Sequence, residues 1–162
     1  MSKRPVTICS GQFGDLPLDV LCEKMHALGY QGFEIATQAH VDVYKVVSDE
    51  KYREDFLATL AKHDMIIGAL SAHLAGQCVG DNWDKRLDNF APNAIAGQPE
   101  KIREWAIDFM KTTARAAQLL EGFAFNEIKR NGPLTFKYTD FQYLWYVNSA
   151  GFFYTRGNQR FI

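Results

Sequence analysis

Three short β-prone runs alternate with stretches of helical spacing, and this alternation limits the possible folds more than any other feature of the chain. Val6-Thr7-Ile8-Cys9 is stopped by Ser10-Gly11-Gln12-Phe13-Gly14-Asp15, where two glycines permit tight turns. Pro17 suits the first turn of a helix, Leu18, Leu21, Cys22, Met25 and Leu28 recur at helical spacing, and Gly29 supplies a stop. Gly32-Phe33-Glu34-Ile35-Ala36 reads as a second strand. After it comes a loop from Thr37 to Val47, then a helix that Ser48 is placed to cap, with Tyr52, Phe56, Leu57 and Leu60 as its apolar stripe. The third run, from Met65 to Ala72, has the continuous apolar character of a strand buried on both faces. Pro99 and Glu100 open the strongest helical pattern, in which Ile102, Trp105, Ala106, Phe109, Met110, Ala116 and Leu120 share one face. These patterns predict parallel strands at 6–9, 32–36 and 65–72 and helices near 18–28, 49–62 and 99–120, joined by right-handed crossovers.

The third strand is the one to watch for chemistry. It ends in Ser71, His73, Gly76 and Gln77, and parallel α/β proteins build sites from strand tips and the loops after them. From Cys78 to Gly97 no helical periodicity is visible, so a long loop is expected there. His73 either caps the strand through a backbone carbonyl or lines a site. Glu34 is the odd member of its strand, a carboxylate in an apolar run. Such a group is paired, hydrogen-bonded or protonated, as a brace of the sheet or as a contact to substrate or metal. Cys9, Glu34 and His73 each fall at or near a strand's C-terminal end, which predicts that they cluster on one edge.

Beyond Glu121 the pattern changes. The segment 121–162 is dense in aromatic residues, with Leu134–Tyr138 and Phe141–Val147 as candidate strands and no fourth strand–helix unit. The chain therefore divides into an α/β part, 1–120, and an aromatic-rich tail, 121–162.

Composition removes several function classes. A net charge of −1 argues against a surface made to neutralise nucleic-acid phosphates. No run approaches the roughly 18 apolar residues that a membrane-spanning helix needs. Three cysteines without a C-x-x-C pair give neither a disulfide framework nor zinc-ribbon spacing, and the expected compartment is the cytoplasm. There is no nucleophile elbow, P-loop, dinucleotide fingerprint or H-E-x-x-H motif. Glu34, His40, His73, Asp81 and Asp84 are metal-ligand types, but none has a specific local spacing.

Gly29-Tyr30-Gln31-Gly32-Phe33-Glu34-Ile35 resembles the glycine–glutamate second strand of the sugar phosphate isomerase/epimerase family, the xylose-isomerase-like TIM barrels. Leu70–Gln77, the Asp81-to-Arg86 loop and Ala114–Leu120 extend the resemblance over residues 5 to 120. It implies a partial (β/α)8 barrel of about three βα units and a small sugar or sugar phosphate as substrate. It also implies metal-assisted proton transfer beside a sugar carbonyl, with manganese, zinc or magnesium as the divalent ion. Glu34 takes the catalytic position, and Cys9, His73 and Gln77 take substrate-binding ones. The related endonuclease IV branch binds metal through a histidine on a comparable early strand, which implies the same for His73. The family continues with a valine-rich fourth strand where this chain has its aromatic tail, so impaired catalysis is expected. The alternative is a non-catalytic sugar-binding or protein-interaction module. Three βα units leave an open sheet edge, which the tail or a homo-oligomer would cover.

Overall fold

The structure, a computed structural model, describes the backbone of residues 5–128 and the side chains of 5–120. The candidate strands of the aromatic tail lie outside the described residues. Within them the protein is a mixed α/β fold with a three-stranded parallel sheet in the order β1-β2-β3. The strands are β1 (Thr7–Cys9), β2 (Gly32–Ala36) and β3 (Ile66–Ser71). The helices are α1 (Leu18–Ala27), α2 (Val43–Ser48), α3 (Glu50–Ala61), α4 (His73–Gly80) and α5 (Pro99–Ile128), with 3-10 turns at Ser10–Phe13, Lys85–Phe90 and Asn93–Ile95.

The helices cover one face of the sheet. Phe33 and Ile35 of β2 are fully buried there with Leu21, Cys22 and Met25 of α1, Val43 and Val46 of α2, Phe56 and Leu60 of α3, and Ala116 and Leu120 of α5. Strand side chains alternate between faces. Burying Phe33 and Ile35 therefore turns Glu34 to the opposite face.

β1 and β2 pair in simple register, Thr7 with Gly32 and Cys9 with Glu34. Between β2 and β3 the register slips at Phe33/Glu34, so Phe33 faces Ile67 while Glu34 faces Ala69. Gly68 is the extra residue. This bulge keeps Leu70 on the core side beside Ile35.

Three expectations need correction. The long loop expected from Cys78 to Gly97 begins three residues later: α4 runs from His73 to Gly80, and the stretch after it carries only the 3-10 turns, with Cys78 and Leu87 packed against Ile102 and Ala106 of α5. The buried residues of α4 are Ala75, Gly76 and Cys78, preceded by the buried Ala72 at its N-cap. Residues so small leave almost no apolar stripe to detect, yet they let α4 approach α5 closely. The loop expected from Thr37 to Val47 contains α2, a six-residue helix anchored by Val43 and Val46. Ser48 does not cap α3. Its hydroxyl donates to the Tyr44 carbonyl at 2.8 Å, and Asp49 caps α3 by accepting from Tyr52 N–H at 3.0 Å.

Candidate functional site

Residues paired across parallel strands share a face, so the register defines the surface opposite the helices. Cys9, Glu34 and Ala69 form one row across the three strands, and Ala36 and Ser71 form the next row toward the C-terminal edge. The carboxylate thus stands between two small neighbours, on a floor of small residues. Glu34 Oε1 is cut off from solvent and has no hydrogen-bond partner among the described residues. An unmet buried acceptor costs on the order of 1–3 kcal/mol, and more when the group is charged.

Above these rows the loops after β1 and β2 are clamped together. The Ser10 hydroxyl accepts from Ala36 N–H at 2.9 Å and lies 3.0 Å from His40 Nδ1. His40 Nε2 is 3.2 Å from the Leu16 carbonyl. A carbonyl only accepts, so Nε2 donates to Leu16, and the Ser10 hydroxyl joins the imidazole to the Ala36 N–H through Nδ1. Thr37 closes the other side, donating both N–H and hydroxyl to the Ser71 carbonyl, at 2.9 and 3.0 Å.

Cys9 and Glu34 are therefore direct register partners. His73 opens α4 just beyond Ser71, with Nδ1 3.1 Å from the Ser71 hydroxyl. Gln77 lies one turn further along α4, on the same helical face as His73, and both are half-buried. Two other candidate ligands have structural work. Asp84 caps the 3-10 turn at Lys85–Phe90, and its pairing with Arg86 at 2.6 Å holds its carboxyl down at about 2. Asp81 closes α4 through its backbone. His40 belongs to the clamp just described. Among the described residues no three His, Cys, Asp or Glu side chains come together as a metal cage. The described residues bring no second and third ligand to His73.

Two features were not visible in the sequence. A β-carbon on Gly11 would stand 3.2 Å from Ala36 Cβ, 3.3 Å from Gln38 Nε2 and 3.7 Å from Cys9 Sγ, so glycine here lets the loop after β1 pack closely over the tip of β2. An open cleft of about 410 Å³ runs along the outer side of the β2–α2 loop, lined by residues 37–43, Tyr52 and Phe109. It includes neither Cys9, Glu34 nor His73.

The thiols differ in setting. Burial pushes Cys22 up to about 11 and also raises Cys78, whereas Cys9 is half-buried at the strand tip. No helix among the described residues is long and apolar enough to cross a membrane. No protein-family model and no curated protein matches the chain.

Proposed function

We propose that the chain carries the first three βα units of a barrel of the sugar phosphate isomerase/epimerase type, and that its strand tips bind a sugar through Glu34. The observation that carries this reading is the Glu34 carboxylate, whose buried Oε1 has no protein donor among the described residues. A sugar hydroxyl is a small neutral donor of the kind that oxygen lacks. The parallel βα order and the position of Glu34 after Gly29 and Gly32 support the same reading.

Proton transfer beside a carbonyl needs a base within hydrogen-bond reach and an electrophile for the developing oxyanion. Glu34 takes the base role, and Cys9, His73 and Gln77 line the substrate. No step runs through a metal, because the described residues bring no three ligands together. Binding with little or no turnover is the expected behaviour, and the alternative, a non-catalytic sugar-binding module, differs only in the absence of proton transfer.

The test titrates the full chain with aldoses, ketoses and their phosphates in deuterium oxide, following binding and deuterium uptake beside the carbonyl by proton magnetic resonance. Sugar binding that is lost in Glu34→Gln is expected. A wild-type chain that binds no sugar, or binding indifferent to Glu34→Gln, overturns the proposal. Deuterium uptake that disappears in both Glu34→Gln and His73→Ala would show a working base.

A further inference from the structure

We infer that His73 is the electrophile of this site: Ser71, as its positioning residue, fixes the imidazole as the tautomer with its proton on Nε2, so that His73 donates to a carbonyl oxygen instead of ligating a metal. The inference rests on the sugar-binding reading of Glu34.

The sheet sets the place. Ser71 ends β3 and is the register partner of Ala36, two residues beyond Glu34 on β2. Alternation puts Glu34, Ala36 and Ser71 on one face, with Ser71 about 7 Å further along the strand direction than Glu34. Ser71 is itself held. Its carbonyl accepts the N–H and the hydroxyl of Thr37 at 2.9 and 3.0 Å, and Thr37 follows Ala36, whose N–H is given to Ser10. The tips of all three strands are thereby joined. The imidazole of His73, the first residue of α4, is tied to them by the 3.1 Å contact between Ser71 Oγ and Nδ1.

The direction of that bond follows from burial. Ser71 is 0% exposed, and His73 Nδ1 is the one partner of its hydroxyl among the described residues. A hydroxyl has one proton to give. If Nδ1 carried the ring's proton, Ser71 would only accept, and its own proton would be stranded in a buried place at the cost of an unmet polar group. With the hydroxyl donating, Nδ1 is the bare nitrogen and Nε2 carries the proton. That tautomer has an N–H at Nε2 and no lone pair there. It is the wrong form for a cation and the right one for an oxygen that gains negative charge.

In the reaction Glu34 takes the proton from the carbon beside the sugar carbonyl. The C–H electron pair becomes a C=C bond, the carbonyl π pair moves onto its oxygen, and the Nε2–H of His73 hydrogen-bonds that oxygen. Glu34 then returns the proton to carbon. The electrophile that this chemistry needs is thus a side chain at the tip of β3.

The experiment records nitrogen-edited magnetic resonance of the full chain with labelled histidine at about pH 8.5, above the usual histidine range, with His73→Gln identifying the His73 signals. In the wild type His73 should show a protonated Nε2 and a bare Nδ1, and Ser71→Ala should mix the two tautomers. Thr37→Val removes a hydrogen bond to the Ser71 carbonyl and leaves the Ser71 hydroxyl in place. It should cost similar stability yet keep the wild-type tautomer, whereas a merely structural Ser71 would make the two variants alike. Affinity should follow the donor. With the polyols D-xylulose and D-fructose as probes, His73→Ala should weaken binding about tenfold, the worth of one hydrogen bond to the ligand. His73→Gln, which keeps an N–H, should restore part of it. Ser71→Ala should weaken binding about twofold, as half of the molecules then hold the wrong tautomer. Equimolar zinc chloride should leave the His73 signals unchanged. If wild-type His73 carries its proton on Nδ1, if Ser71→Ala keeps the wild-type tautomer, or if equimolar zinc shifts the His73 signals, this inference falls and the Glu34 reading stands. If the wild type binds neither sugar, both fall together.

Discussion

Ser10 and His40 hold the tips of two neighbouring strands in one hydrogen-bonded unit. The Ser10 hydroxyl, fully buried, accepts from Ala36 N–H at 2.9 Å and faces His40 Nδ1 at 3.0 Å. Ser10→Ala would leave a buried backbone N–H and an imidazole nitrogen without partners. The expected loss of stability is about 1–3 kcal/mol, the cost of stranding a buried polar group. Urea unfolding should show a lower midpoint with an unchanged slope, since the surface exposed on unfolding does not change. A midpoint equal to the wild type would mean that the clamp contributes nothing net.

The two glycines around Tyr30 and Gln31 have separate structural reasons. Gly29 turns the chain out of α1 at φ +89°, a conformation that favours glycine. At Gly32 a β-carbon would overlap the carbonyl oxygen of Ile66, its register partner in β3. The obstacle is backbone, so no side chain can swing aside. Gly32→Ala should force β2 and β3 apart and cost at least about 2–3 kcal/mol, in the upper range for point substitutions. Amide exchange should accelerate at Ile66 and Gly68 more than in α1. A variant as stable as the parent would refute the packing argument.

Much of the sheet could be read from the sequence, because each strand is a compact β-prone run between glycine or polar stops. The strands differ from expectation by a residue at their ends, and α1 and α3 follow the period of their large apolar residues. What escaped detection was held by small or short-range features. α4 buries only the small residues Ala75, Gly76 and Cys78, and α2 has only Val43 and Val46 to mark it, too few for a period. At the site, Glu34 stood out as a carboxylate among apolar residues. Ser10 and Gly11 did not, because their roles come from strand register, which brings the tips of β1 and β2 together although Cys9 and Glu34 are far apart in the chain.

The buried thiol gives the stability an alkaline limit. Burial, reinforced by the nearby Asp19 carboxylate, raises Cys22 from an ordinary value of 9.0 to about 11. A raised folded-state pKa contributes stability that is fully present below the unfolded pKa and is lost as pH climbs through the folded one. The chain should therefore weaken between about pH 9 and about pH 11, by roughly 2–3 kcal/mol for two pKa units. Tyr44, raised to about 12 by burial and its hydrogen bond to Asp108, acts in the same direction at still higher pH. The clean comparison is urea unfolding at pH 8 and pH 11 in the wild type and Cys22→Ala. The variant starts less stable but should lose less on going to pH 11. Parallel losses in both proteins would assign the alkaline transition elsewhere. Under native conditions a thiol reagent should modify half-buried Cys9 well before Cys22 or Cys78.

Glu34 separates a binding role from a bracing one through the sign of a stability change. A brace contributes to folding, so removing it destabilises. A group kept for a ligand is a burden in the free protein, because its desolvated oxygen has nothing to bond. The Glu34 surroundings match the second case: Oε1 is buried without a donor among the described residues, and its row neighbours Cys9 and Ala69 make no ion pair with it. Glu34→Leu keeps the volume and removes the unmet acceptor, so the free protein should be as stable as the wild type or more stable by about 1 kcal/mol. The same variant should lose polyol binding entirely. Thermal melts of both proteins, with and without a saturating polyol, read the two effects together. The wild type should gain melting temperature from the ligand and the variant should not. A variant that melts several degrees lower in the absence of ligand would show that Glu34 braces the sheet, and the carboxylate would then lose its claim to the site.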